Sequence, residues 1–357
     1  MGQFNPGRLI AGLVAMAAAA TLTLANPALA QSRDITGAGA TFPAPIYMKW
    51  AEQYAESGGG TLNYQAVGSG AGVTQIVNRT VDFGASDSAV ATARLSSQNL
   101  LQFPAVVGGV VMVVNIPGVN GDNVRLTGPI VADIYLGRVR LWNDPKIAAL
   151  NPGIRLPLAA IAPAYRADSS GTTNIFTDYL AKVSPEFKER IGAGNSVAWR
   201  AGIGAPGNAG VAGVVKNIRG GIGYVEYAYA SENNMRTAML QNASGRFVRP
   251  SMTAIATSAA SVDWAKAENL AVNMNNTVGP DNWPIVGATY ILVPKNPPNA
   301  ERSRAVLRFF DWAFRSGQPA AEELHYVMLP PEVHARVRES WAQVRFDGRP
   351  VWTPARP

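Results

Sequence analysis

The stretch RADSSGTT, residues 166–173, sets a guanidinium, a carboxylate and four hydroxyls around one glycine. A guanidinium presents a planar fork of donors that matches an oxyanion, hydroxyls add further donors, and glycine lets backbone N–H groups come close. Two other stretches share the pattern. GAGATFPAP places Thr41 and Phe42 just ahead of a predicted helix, and GSGAGVTQ places Ser69 at the start of another, as DSSGTTNIF does for Ser170, Gly171 and Thr172. A helix N-terminus has unpaired N–H groups and the positive end of the helix dipole, so all three suit an anion. Ordinary capping is the competing reading, because Ser and Thr are preferred N-caps without any ligand. Arg166 adds what capping does not need, and Asp168 either holds its fork in place or caps the following helix.

Asp87, at the end of VDFGASD, is out of place in such a site, since an ionised carboxylate only accepts hydrogen bonds and repels another anion. Phosphate near neutral pH still carries a proton to donate, whereas sulfate has none. An acceptor in the pocket therefore admits phosphate and penalises sulfate. The alternative is that Asp87 caps a helix over SAVATARLSSQNL, and both readings stand on the sequence.

Catalytic chemistry has little to work with. The chain has no cysteine and two histidines, His325 and His334, both far along the sequence from the hydroxyl motifs. That removes thiol catalysis, leaves a zinc site improbable and calls for no cofactor. Gly68, Gly70 and Gly72 follow a strand, but the third glycine of a dinucleotide fingerprint falls on Val73. No P-loop lysine follows the glycine turns, and no G-x-S-x-G elbow is present. A secreted phosphatase stays as the enzyme alternative, and another tetrahedral oxyanion as the alternative ligand.

The elements that must carry these residues alternate. PAPIYMKWAEQYAE reads as a helix with Ile46, Tyr47, Trp50 and Tyr54 on one face, TLNYQAV as a strand, VTQIVNRT as a helix and VDFGAS as a strand. This rhythm is that of an α/β sheet with crossovers. PAVVGGVVMVVNIPG (104–118) and GATYILVPK (287–295) read as buried strands, the second followed by an amphipathic helix with Val306, Phe309, Phe310 and Ala313 on one face, ended at Gly317. Taken as two crossings between domains, they give one lobe from residues 31–115 plus 287–357 and another from 116–286.

The first thirty residues differ in kind: Arg8, an apolar run over residues 9–25 and a small-residue site ending in Ala28-Leu29-Ala30. They read as a secretory signal peptide cut after Ala30, too short and Ala-rich for a permanent span. Its removal leaves 30 cations against 24 anions. With no Lys/Arg run interleaved with aromatics, that excess points to a solvated surface or a bias toward anionic ligands rather than to nucleic acid.

TGAGATFPAPIYMKWAEQY, NYQAVGSGAG, VDFGASD, DIYLGRVRLWNDP, RADSSGTT and GGIGYVEYAYA resemble, in order and at matching spacing, the periplasmic phosphate-binding proteins of phosphate ABC transporters. The likeness runs from about residue 34 to the low 340s. It implies a two-lobe, type II periplasmic binding protein, monomeric, that closes over inorganic phosphate and delivers it to a membrane permease. Carried over by position, the ligand residues are Thr41, the Phe42 backbone N–H, Ser69, Asp87, Arg166, Ser170, Gly171 and Thr172, with Asp168 pairing the arginine. Two positions depart from common family forms: Gly70 stands where GSSGG has a serine, and Ser169 where ADGSGT has a glycine.

Overall fold

In the computed structural model, residues 34–353 are described, so the predicted signal peptide lies outside them. The chain forms β1 (Ile35–Gly39), α1 (Ala44–Glu56), β2 (Leu62–Ala66), α2 (Ser69–Val77), β3 (Phe83–Ser86), α3 (Thr92–Ser97) and β4 (Leu100–Asn115). After several short elements come β5 (Ala162–Arg166), α4 (Gly171–Val183), β6 (Ile203–Ala205), α5 (Gly207–Asn217) and β7 (Gly221–Glu226). The last part supplies β8 (Val286–Pro294), α6 (Ala300–Ser316) and α7 (Pro331–Ser340). This is the α/β architecture that the alternating pattern predicts.

Eight of these strands make one sheet in the order β2-β1-β3-β8-β4-β7-β5-β6, with the short strand Arg236–Thr237 also paired to β4. β1 is parallel to β2 and β3, and β5 is parallel to β6 and β7, whereas β8 runs antiparallel to both of its neighbours. β4 joins the two parallel sets. Its residues Leu100–Gly109 pair with β8 and Val110–Asn115 with β7. The strand is buried along its whole length except at Asn115, which explains a Val-rich run without alternation.

Helix packing follows the predicted faces. Ile46, Tyr47 and Trp50 of α1 are fully buried, and Tyr47 and Tyr54 meet Phe310 and Phe309 of α6 edge to face. The Trp50 indole N–H donates to Gly317 O, at the C-cap of α6, at 2.9 Å. That bond ties the two chain ends together behind the first parallel set. Among the described residues, no helix is long and apolar enough to cross a membrane.

Candidate functional site

Thr41 and Phe42 lie between β1 and α1, Ser69 opens α2, Asp87 follows β3, Arg166 ends β5, and Ser170, Gly171 and Thr172 form the entry to α4. Every one of these strand ends and helix starts points to a single place, and all eight residues are buried. Parallel strands make this convergence natural, because the loops at their carboxyl ends open on the same side of the sheet.

The capping alternative divides among the three starts. Ser170 does cap α4, its Oγ accepting from Thr173 N at 3.1 Å. Neither α1 nor α2 has a side-chain cap; Pro43 and Gly68 stand at those positions. Thr41 and Ser69 are therefore polar and buried for another reason. The Ser69 hydroxyl accepts from Asp87 N and Gly171 N, each at 3.1 Å, and lies 3.4 Å from Asp87 Oδ2, to which it donates. Thr41 Oγ1 accepts from Asn208 Nδ2 at 2.8 Å and from Asn208 N at 3.2 Å.

Two glycines are required by contact. Gly68 has φ +95°, and a Cβ there would stand 2.6 Å from Asp168 Oδ2. A Cβ on Gly171 would come within 2.4 Å of Ser69 Oγ and 2.6 Å of Asp87 Cβ. Both sit where the α2 and α4 starts meet, which leaves no room for a side chain. Gly70 meets the same seam. A Cβ there would lie 2.2 Å from Ser169 Oγ, so Gly70 and Ser169 face one another across the seam.

Arg166 is held from several sides. Its side chain is only 1% exposed and pairs with the Asp168 carboxylate, its Nε donating to Asp168 Oδ1 at 2.7 Å and Nη2 to Oδ2. Its Nη1 donates to Thr172 Oγ1 at 3.3 Å, and its backbone N–H to Tyr224 Oη at 3.1 Å. Asp168 also accepts from Gly207 N at 3.1 Å. It does not cap α4; it holds the fork. Partial burial raises its pKa, but the hydrogen bonds and charge of Arg166, together with Gly207 N–H, outweigh this and leave it below the usual carboxylate range.

Asp87 behaves the opposite way. It is 5% exposed, and its Oδ1 has no hydrogen-bond partner. Burial pushes its pKa up to about 7, against the pull of the Thr289 hydroxyl, Arg166 and Ser69. Asp87 does not cap a helix either: α3 begins at Thr92 with Ala91 at its N-cap. An orphaned buried carboxylate oxygen carries a free-energy cost of about 1–3 kcal/mol or more for a charged group, so its presence needs a reason.

Sequence reading missed Asn208. It opens α5 and reaches across the site: Nδ2 donates to Thr41 Oγ1 and to Thr172 Oγ1 (3.2 Å), while Oδ1 accepts from Glu226 N at 2.9 Å. The signal was there in GAPGNAG (204–210), another glycine turn running into a helix. It also missed Tyr229, whose hydroxyl donates to Thr41 O at 2.6 Å, and Tyr326, which donates to Phe42 O at 2.6 Å. Single tyrosines in apolar stretches give no such signal.

The two histidines stand apart from these residues. His325 lies against Tyr227, with Nε2 3.0 Å from Ser231 Oγ. His334 is stacked on Phe314, and burial, with Arg338 nearby, lowers its pKa to about 4. Among the described residues, no group of three or more His, Asp or Glu side chains could hold a metal ion.

Residues 24–316 match the PBP superfamily domain. The chain is 47% identical over 324 residues to the phosphate-binding protein PstS of Pasteurella multocida, covering 90% of this chain and 94% of that one. It is 46% identical over 320 residues to PstS of Haemophilus influenzae, covering 90% and 96%. Among solved structures it superposes on a high affinity periplasmic phosphate-binding protein bound with phosphate at pH 8.5, with a TM-score of 0.69 at 23% identity over 86% of this chain and 94% of that one. It also superposes on a phosphate-binding protein from Stenotrophomonas maltophilia, with a TM-score of 0.64 at 22% identity over 86% and 93%. The fold is thus the type II periplasmic-binding-protein fold, and the chain belongs to the PstS family of phosphate-binding proteins within the PBP superfamily.

Proposed function

We propose that the protein captures inorganic phosphate and passes it to the membrane permease of an ABC importer, without chemical turnover. Its relatives of highest identity given above are named as phosphate-binding proteins. The single observation that supports the ligand most is Asp87 Oδ1: a buried acceptor with no partner, set among hydroxyls, helix N-termini and an arginine. Phosphate brings one proton for that acceptor and oxygens for the donors around it. Sulfate satisfies the donors but leaves two acceptors facing each other.

In this reading Thr41, Phe42 N–H, Ser69, Arg166, Ser170, Gly171 N–H and Thr172 donate to the phosphate oxygens, and Asp87 accepts. Several of these donors spend their hydrogen bonds on one another in the present structure, Gly171 N on Ser69 Oγ and Arg166 Nη1 on Thr172 Oγ1. Phosphate would exchange those partners rather than find them idle. Residues 31–115 and 287–357 form one lobe and 116–286 the other, with β4 and the chain entering β8 as the hinge. Contacts such as Asn208 to Thr41, Gly70 N to Ser169 O (3.0 Å) and Ser88 Oγ to Asn195 Oδ1 (2.5 Å) belong to the closed form. The protein works in the periplasm as a monomer after removal of residues 1–30.

Calorimetric titration of phosphate-stripped protein tests this. Phosphate is expected to bind at one site and sulfate far more weakly; equal binding of the two, or neither, would defeat the reading. Release of chromophore from a chromogenic phosphate ester above the buffer rate would bring back the phosphatase alternative.

A further inference from the structure

Three of the buried side-chain atoms that lack a hydrogen-bond partner gather behind the site: Asp87 Oδ1, Thr289 Oγ1 and Tyr47 Oη. Thr289 and Tyr47 are fully buried. Their meeting follows from the sheet. β8 runs antiparallel to β3 with Tyr290 opposite Ser86, so one step further along the ladder Thr289 stands opposite Asp87. The pairing of β8 with β4 shifts register between Thr289 and Tyr290, an irregularity of the kind that re-aims a side chain. Tyr47 comes from α1, the helix that Thr41 and Phe42 introduce.

We propose that Thr289 is a specificity-determining residue that acts through Asp87, its hydroxyl donating to the Asp87 carboxylate and accepting from the Tyr47 hydroxyl. The proposal rests on the phosphate reading of the site. The direction of the chain is fixed by donor count. An ionised carboxylate only accepts, a threonine hydroxyl has one proton to give, and a tyrosine hydroxyl has one more to give to the threonine oxygen. Oδ2 is already turned to Ser69, and Oδ1, with two lone pairs, can accept from Thr289 on one side and from the phosphate proton on the other. With Thr289 donating, Asp87 stays an acceptor toward the ligand, and the proton between them must come from phosphate. Thr289 works against burial at Asp87, which is the sense required of a hydroxyl that donates to the carboxylate. The other ionisable groups whose charge bears on Asp87 are Arg166 on β5, Tyr64 on β2 and Tyr229 after β7. Substitution at 289 changes none of them.

The test is titration of Thr289→Val and Thr289→Ser with phosphate and sulfate, on either side of about pH 7, where Asp87 changes charge. Val keeps the shape and loses the hydroxyl; Ser keeps the hydroxyl. Thr289→Val is expected to lower the phosphate-over-sulfate ratio about tenfold and to move the pH at which discrimination fails upward. Ser is expected to keep both near the starting protein, and Tyr47→Phe to move the pH midpoint the same way by less. An unchanged ratio and midpoint in Thr289→Val would overturn the proposal, as would a loss in Ser equal to that in Val, which would assign the effect to packing. If Thr289→Val does not fold, Tyr47→Phe decides, and an unmoved midpoint there overturns it. Failure of the unsubstituted protein to bind phosphate would instead defeat the reading of the site, and the proposal with it.

Discussion

Asp87 and Asp168 feel the same arginine from opposite walls of the site, and they end in opposite electrostatic states. On the α4 wall Asp168 is 20% exposed, bidentate to Arg166 and held below the usual carboxylate range. On the α2 wall Asp87 is buried, keeps one oxygen without a partner and is raised to about 7. A carboxylate whose hydrogen bonds are already spent on the protein fixes geometry. One whose hydrogen bonds are withheld can be completed by a ligand, and only by a ligand with a proton to donate. The difference lies in where each carboxylate's partners come from, since both are aspartates near one guanidinium.

The contrast breaks most severely at the shared arginine. Arg166→Ala leaves Asp87 without its cation and removes the oxyanion fork, so phosphate affinity is expected to fall by about 2–5 kcal/mol, or roughly 30- to several-thousand-fold. Thermal stability of the ligand-free protein should fall far less, because Asp168 is partly solvated and still has Gly207 N–H. Calorimetry and thermal melts of the same sample check this, and an equal loss in both would assign Arg166 to the scaffold.

The seam between the walls gives the next effect. Gly70→Ser puts a side chain against Ser169, an overpacking cost of about 1–3 kcal/mol that falls on the closed form. Phosphate affinity should drop about tenfold and recover in the double variant with Ser169→Gly. Absence of recovery would mean that the two positions are not coupled. The smallest effect is expected at Asp168→Asn. The amide oxygen keeps one hydrogen bond to Arg166, so affinity should fall by no more than about fivefold. The phosphate-over-sulfate ratio should not move, and a change in that ratio would show that Asp168 also reads the ligand.

Much of this was legible in residue order. The α/β rhythm, the helix over Ala44–Glu56, the buried Val-rich strand and the face formed by Val306, Phe309, Phe310 and Ala313 all follow from periodicity, because burial imposes it. Glycine turns into helices marked three walls of the site, and the same rule applied to GAPGNAG would have marked Asn208. What periodicity could not give was pairing in space. The proposed pairing of Thr289 with Asp87 and the contact of Gly70 with Ser169 join residues far apart in the chain, brought together by an antiparallel strand and by meeting helix starts. The capping readings of Asp87 and Asp168 failed for the same reason: local sequence offers each a helix, while the fold offers each a different partner.

The central claim is that Asp87 reads the proton of phosphate, and the most direct measurement is the phosphate-over-sulfate affinity ratio of the unsubstituted protein and Asp87→Asn, on either side of about pH 7. Because its pKa is raised, Asp87 carries a proton below that pH and can donate to sulfate, and above it only accepts. The ratio in the unsubstituted protein should therefore be high above about pH 7 and decline below it. In Asp87→Asn, whose amide can donate to either anion at any pH, the ratio should be low and flat. A ratio that stays high in Asp87→Asn would contradict the account.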